Sequence, residues 1–226
     1  LEDLSNADAA LALRTNGVNA VTNGLLRDYE VRVANTVTSG TNLGSYVSLS
    51  ASARAWNNFG NSDPIADITS GQAFIRRTGL TANTLIIDYD TLAIVRRHPV
   101  LLDFYKYTIG GEITDQQLKD AFKVQNILVG QGIKSVANEG ATTSTTNIWG
   151  NCAVLAYIQP GVSLQTQTFG LSMRWTPEGF PAPMQVGRQQ FVGPGTKNIE
   201  VLEAGYFQAE KVVAKSLAYG ILSTLG

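Results

Sequence analysis

Apolar residues recur at Ala7, Leu11, Val18, Val21, Leu25, Tyr29 and Val33, at steps of three, four or seven. Such steps fall on one stripe of a helix, because about 3.6 residues complete each turn. Ser5-Asn6-Ala7-Asp8 fits a capping box, in which the Ser oxygen takes an orphan amide hydrogen and the acid reaches back. The spacing predicts one long helix over residues 5–38. Acids at its start (Glu2, Asp3, Asp8) and cations towards its end (Arg27, Arg32) suit the helix dipole. Asn16, Gly17, Asn19, Asn23 and Gly24 oppose it, each by up to about 1 kcal/mol. A helix so poor in formers persists only by lying against a sheet or a neighbouring subunit.

Further along, the pattern alternates between helix and strand. Residues 39–61 are rich in Gly, Ser and Asn, carry a short alternation at Tyr46, Val47 and Leu49, and predict a loop or hairpin anchored by Trp56 and Phe59. Asp63 can cap a helix with Pro64 in its first turn and Gly79 past its end. Ile65, Ile68, Gln72 and Ile75 share one face of it. Leu85-Ile86-Ile87 reads as a buried strand, followed by a helix over Thr91–Arg97 that stops at His98-Pro99. Pro99 can open another short helix through Tyr107, and Thr114-Asp115-Gln116-Gln117 offers a second capping box for a helix to Phe122. Strands are predicted at Gln125–Val129, Cys152–Gln159 and Phe169–Trp175, with a Thr-rich loop over Ala141–Asn147. The last part is β in pattern: Gln185–Val192, a Gly193-Pro194-Gly195 turn, Asn198–Glu203 and Tyr206–Lys215, with apolar positions continuing at Leu217 and Ile221. Helices first, strands last and a mixed middle predict an α+β fold.

Composition narrows the classes. The 226 residues form one large domain or two intertwined ones, long enough to bury a core without disulfides. A hydrophobic share of 44% excludes a disordered chain. No apolar run approaches the roughly 18 residues of a membrane span, and no secretory signal opens the chain. A single cysteine excludes an internal disulfide, and a formal charge of −1 removes the electrostatic term that dominates nucleic-acid affinity. Charged residues make up only 15%, whereas Ser, Thr, Asn and Gln number 62. A surface of that kind costs little to desolvate, as the cores of protein interfaces do. The chain opens at Leu1 without an initiator Met, which reads as a processed product or a fragment.

The candidate chemistry is thin. Leu85-Ile86-Ile87-Asp88-Tyr89-Asp90-Thr91 is a strand ending in two acids, similar to the nucleophile motif of haloacid-dehalogenase-type phosphohydrolases. In that family the first acid attacks phosphorus and the second serves as acid and base beside Mg²⁺. Leu92 stands where that motif wants Thr or Val, and the plainer reading makes Asp88 or Asp90 a helix cap. His98 is the sole histidine, so it predicts a capping or surface residue and excludes a His-rich metal site. Gly161-Val162-Ser163-Leu164-Gln165 lacks the last Gly of a nucleophile elbow. Cys152, between apolar neighbours, reads as a small buried hydrophobe. Gly130-Gln131-Gly132 continues to Ser135 where a dinucleotide loop needs Gly, and Gly193-Pro194-Gly195-Thr196-Lys197 reads as a hairpin turn. The pairs Arg76-Arg77 and Arg96-Arg97 fall at predicted helix ends, where the dipole accounts for them. These residues nominate no catalytic, cofactor-binding or metal site.

Taken in order, the segments resemble the tailed-phage major capsid proteins of the Hong Kong 97-type coat fold. Leu4–Val37 looks like the spine helix of that family. Asp63-Pro64-Ile65-Ala66-Asp67-Ile68, then Thr81-Ala82-Asn83-Thr84-Leu85-Ile86-Ile87, then a short helix ending at Arg97-His98-Pro99 is similar to a recurrent succession in it. Ile113–Phe122, Ile127-Leu128-Val129-Gly130 and Ile148-Trp149-Gly150-Asn151 leading into Ala153–Ile158 continue the likeness. The resemblance implies a peripheral domain of residues 1–61 and 162–213 and an axial domain of residues 62–161 and 214–226. It also implies that the family's N-terminal arm and extended hairpin are absent before Leu1. The implied function is structural and not enzymatic: hexamers and pentamers of the chain closing an icosahedral shell around double-stranded DNA, without sequence-specific contact. Scaffolding, portal and decoration proteins are the implied further partners, no cofactor is called for, and the place is the virion after assembly in the host cytoplasm. An encapsulin-type compartment is the alternative within the same architecture. The alternatives from other classes are a Mg²⁺-dependent phosphohydrolase using Asp88 and Asp90, and a solitary binding module.

Overall fold

The computed structural model describes residues 13–50, 54–106, 113–138, 140–161, 166–179, 184–193 and 196–226. Its helices are α1 (Leu13–Thr38), α2 (Pro64–Arg76), α3 (Tyr89–Arg96), α4 (Pro99–Tyr105) and α5 (Asp115–Phe122). Its strands are β1 (Ser45–Ser48), β2 (Thr84–Asp88), β3 (Asn126–Gly130), β4 (Ile133–Ser135), β5 (Thr145–Asn147), β6 (Cys152–Ala156), β7 (Gly170–Arg174), β8 (Met184–Gly193), β9 (Thr196–Tyr206), β10 (Gln208–Val212) and β11 (Ala218–Leu222). Helix and sheet are mixed, as expected of an α+β chain. Contacts divide it into a smaller unit, Leu1–Arg32 with Ser172–Glu210, and a larger one, Val33–Leu171 with Lys211–Gly226.

The larger unit is built on a five-stranded sheet in the order β1-β11-β6-β2-β3. β1 runs parallel to β11 and β3 parallel to β2, while β6 is antiparallel to both of its neighbours. β2 and β6 lie at the centre with all five residues of each buried. Both faces of these strands are covered, so they read as unbroken apolar runs instead of alternating ones. Leu85, Ile87, Ala153 and Leu155 face a core shared with Ile68 and Ile75 of α2 and Leu118 and Phe122 of α5. Ile86, Val154 and Ala156 face a second core with Leu43, Phe169 and Leu217.

Local signals explain most of these elements. Asp63 accepts hydrogen bonds from the amides of Ile65 and Ala66, both at 3.0 Å, and Pro64 needs no partner there. α2 sits so close to the sheet that a Cβ at Gly71 would lie 2.6 Å from Tyr219 Cδ1. The capping box at Thr114 and Gln117 is formed. Asn83 extends the ladder past the end of β2: its side chain donates to the Ile158 carbonyl at 2.7 Å and accepts from the Ile158 amide at 3.0 Å. Its own carbonyl takes the amides of Gln125 and Asn126. Asn83 therefore joins three strands, one through its side chain and one through its backbone carbonyl.

Three expectations need correction. Residues 39–61 are not a loop or hairpin throughout, because Ser45–Ser48 is an edge strand paired in parallel with β11. The Thr-rich loop ends in a strand, Thr145–Asn147, paired with Ile133–Ser135. No basic residue occupies the last turn of α1, so Arg27 and Arg32 do not serve its dipole. Arg32 instead pairs with Asp28 at 3.4 Å and Glu210 at 3.1 Å and stacks over the Tyr206 ring at 5.0 Å. The capping box at Ser5 lies outside the described residues.

In the smaller unit, β8 and β9 form an antiparallel ladder from Met184↔Tyr206 to Gly193↔Thr196, with an irregularity between Phe191 and Gly193. Pro194 and Gly195, the middle of the expected turn, lie outside the described residues. Along α1 the stripe Val18, Val21, Leu25, Tyr29 and Val33 is half-buried, as its spacing predicts. Among the described residues of this helix only Ala34 is fully buried, while Leu26 is exposed.

Candidate functional site

The strand–acid motif resolves into a helix start. Asp88 ends β2, is buried, and caps α3 by accepting from the Asp90 amide at 3.2 Å. Burial pushes its carboxyl above the usual range, opposed by backbone hydrogen bonds and assisted by Asp90. Asp90 points elsewhere: its Oδ2 accepts from Asn147 Nδ2 at 2.7 Å, which ties β5 to α3. The two acids therefore do not converge on a common point. Among the described residues no cluster of three or more His, Cys, Asp or Glu could hold a metal ion.

Beside Asp88 stands Cys152, at the start of β6. Its Sγ lies 3.2 Å from the Trp149 carbonyl, to which it donates. Burial, with a contribution from Asp88, pushes its thiol up to about 12, so it is no nucleophile at neutral pH. An open cleft of about 300 Å³ adjoins it, lined by Trp149, Asn151, Leu222, Ser223 and Gly226 among others. The cleft holds no activated group. Trp149 packs where a side chain at Gly130 would sit, so that glycine serves close packing and not a phosphate.

His98 caps α4, as one reading of the sequence has it, but it is fully buried and not a surface residue. Its Nδ1 accepts from the Val100 amide at 3.3 Å, its Nε2 lies 2.9 Å from Ser62 Oγ, and Phe59 stands edge-on at 5.4 Å. Arg96 pairs with Asp115 of α5, beyond the service to the dipole expected of it. Residues 162–165 of the elbow-like segment lie outside the described residues.

Sequence reasoning missed a buried polar junction. Asp67 of α2 accepts from Trp56 Nε1 at 3.0 Å and is paired with Arg54. Trp56 is fully buried and Asp67 nearly so. The signal was an isolated Trp in a Gly- and Asn-rich stretch, which needed an acceptor for its indole N–H. The junction clamps residues 54–62 onto α2. It is structural, and it offers no open coordination or reactive atom. The larger unit also exposes apolar side chains in number, among them Leu102, Phe104, Leu128, Ile133 and Val136.

The described residues form a mixed α+β chain with buried helix caps and exposed apolar side chains. No protein-family model matches it. It is 36% identical over 98 residues to the major capsid protein of Burkholderia phage BcepMu, covering 43% of this chain and 31% of that protein. To the major capsid protein of Pseudomonas phage JBD67 it is 26% identical over 178 residues, 76% of this chain and 56% of that protein. The chain thus spans about a third to just over half of the curated relatives it matches. A crystal structure of a phage-related protein from Bordetella bronchiseptica RB50 shares its fold, with a TM-score of 0.75 at 22% identity over 96% of this chain and 69% of the other. A protein assigned as a prophage capsid protein in E. coli CFT073 follows at a TM-score of 0.56 and 12% identity, over 92% and 65%. The resemblance drawn from the order of segments is borne out at the level of phage major capsid proteins. No helix among the described residues is long and apolar enough to cross a membrane.

Proposed function

We propose that this chain is the shell-forming part of a tailed-phage major capsid protein with the Hong Kong 97-type fold. Copies of it associate into hexamers and pentamers that close an icosahedral shell around double-stranded DNA. The observation that carries this reading is the 178-residue alignment with a phage major capsid protein across three quarters of the chain. Physical features agree with it. A 26-residue helix rich in Asn and Gly has Ala34 as the one fully buried residue among those described, which suits an element braced by other copies. Many weak seams suffice in a shell, because linked contacts act together well beyond their separate strengths. A formal charge of −1 offers packaged DNA no net electrostatic attraction.

On this reading residues 1–61 with 162–213 are the peripheral domain, and residues 62–161 with 214–226 the axial one. That the chain's contacts separate into two compact units, each made of an early and a late segment, supports a two-part division of this kind. The chain performs no turnover; Asp88 and Asp90 act as a cap and a tether. The test is sedimentation velocity of the full-length protein that carries this chain. Particles of hundreds of subunits are expected, and a species confined to monomer at high concentration would overturn the proposal.

A further inference from the structure

We infer that His98 is a proton-operated latch on the first turn of α4: neutral, it caps that turn through Nδ1 while its Nε2–H ties it to the segment before α2, and protonated at Nδ1 it undoes the cap and keeps the tie. The inference goes beyond the shell reading and does not depend on it. It rests on a chain of hydrogen bonds with one direction. An Nδ1 that accepts the Val100 amide hydrogen at 3.3 Å carries no hydrogen itself. The ring proton therefore sits on Nε2 and is donated to Ser62 Oγ at 2.9 Å. Ser62 in turn donates its hydroxyl hydrogen to the Asn58 carbonyl at 2.7 Å. Partners on both sides assign the tautomer.

A second proton has only Nδ1 to bind, where it would meet the Val100 N–H head on. Donor against donor ends the cap. The charge acting on the ring is Asp63, which stands at the cap of α2 and whose carboxylate is engaged by the amides of Ile65 and Ala66. The ring is fully buried, with Phe59 edge-on to it. Burial holds its proton affinity below the ordinary histidine range, against the pull of Asp63.

α4 is suited to release. It is seven residues long, and Leu101 is its buried residue. Its far end is tied to α5, where the Tyr105 hydroxyl donates to the Gln117 carbonyl at 2.8 Å. Between these ends lie the exposed Leu102 and Phe104. Acid would thus loosen the first turn of α4, next to this apolar pair, while the tie to Ser62 and the sheet beneath stay in place.

Because His98 is the sole histidine, nitrogen NMR of the histidine-labelled chain reads the latch directly. At pH 7.5 the Nδ1 resonance is expected at the position of an unprotonated acceptor. The ring is expected to titrate below 6.5, and amide protection at Val100, Leu101 and Leu102 to fall with it. The fall should be roughly fivefold, the population change that loss of one helix cap produces, while amides of α2 keep theirs. His98→Asn caps without titrating and should leave α4 protection independent of pH. An Nδ1–H tautomer, a midpoint at or above 6.5, or α4 protection unmoved as the ring titrates would each overturn the inference. If the Asn variant fails to fold, the titration of the parent decides.

Discussion

Gly71 and Gly24 are both helix glycines, and replacing each by alanine should move stability in opposite directions. A Cβ at Gly71 would lie 2.6 Å from Tyr219 Cδ1 and 2.7 Å from Leu155 Cδ1. Leu155 is fully buried in the centre of the sheet, and Tyr219 packs against Phe74 with ring centroids 5.9 Å apart. Alanine gains about 0.9 kcal/mol over glycine in a helix interior. Overfilling a closed core costs roughly 1–3 kcal/mol, so packing wins and Gly71→Ala loses about 1 kcal/mol net. Gly71→Val, with two more methyl groups and a weaker helix former, should lose about 3 kcal/mol. At Gly24 nothing lies within 4 Å, so Gly24→Ala keeps the whole gain of about 0.9 kcal/mol. Urea denaturation followed by circular dichroism and tryptophan fluorescence measures these as midpoint shifts at constant slope. The two glycines belong to different compact units, and each substitution should move the transition of its own unit. A Gly71→Ala chain more stable than its parent would refute the packing argument.

Three further outcomes follow from the buried polar groups. Asp67→Ala strands the indole N–H of the buried Trp56 and should destabilise the larger unit by about 2 kcal/mol, whereas Asp67→Asn should recover part of it, as denaturant midpoints will show. Asp88→Asn retains a capping oxygen and relieves a buried carboxylate, so stability at pH 7 should change by less than about 1 kcal/mol; assays on phosphate esters should find no activity in either form to lose. With its thiol at about 12, Cys152 should resist disulfide reagents at pH 8 in the folded chain and react at once in denaturant. The pH dependence has a definite sign. The unfolded chain binds a proton at His98 more readily than the folded one, so stability should decline as pH falls below 6.5. Asp88 works the other way: its folded carboxyl takes a proton first, so its contribution improves as pH falls towards its ordinary value.

What was legible in the sequence was what neighbours along the chain decide. Asp63-Pro64 and Thr114–Gln117 announce their helices because a cap acts over three residues. β2 was legible as an apolar run because both of its faces are covered. β1 was not, because its parallel partner β11 lies at the far end of the chain and a four-residue alternation does not say with what it pairs. The burial of His98 was hidden for the same reason: Ser62 and Phe59 reach it only after residues 54–62 fold onto α2. The cap at Asp88 could be read from its position after a strand, but the tether from Asn147 to Asp90 spans 57 residues and left no local mark.

The most direct test of the proposed shell-forming role is cryo-electron microscopy of the full-length protein. The account predicts closed shells in which the sheet of β1, β11, β6, β2 and β3 recurs around five-fold and six-fold rings, with α1 covered by adjacent copies. Isolated molecules, or particles whose walls do not accommodate this sheet, would contradict it.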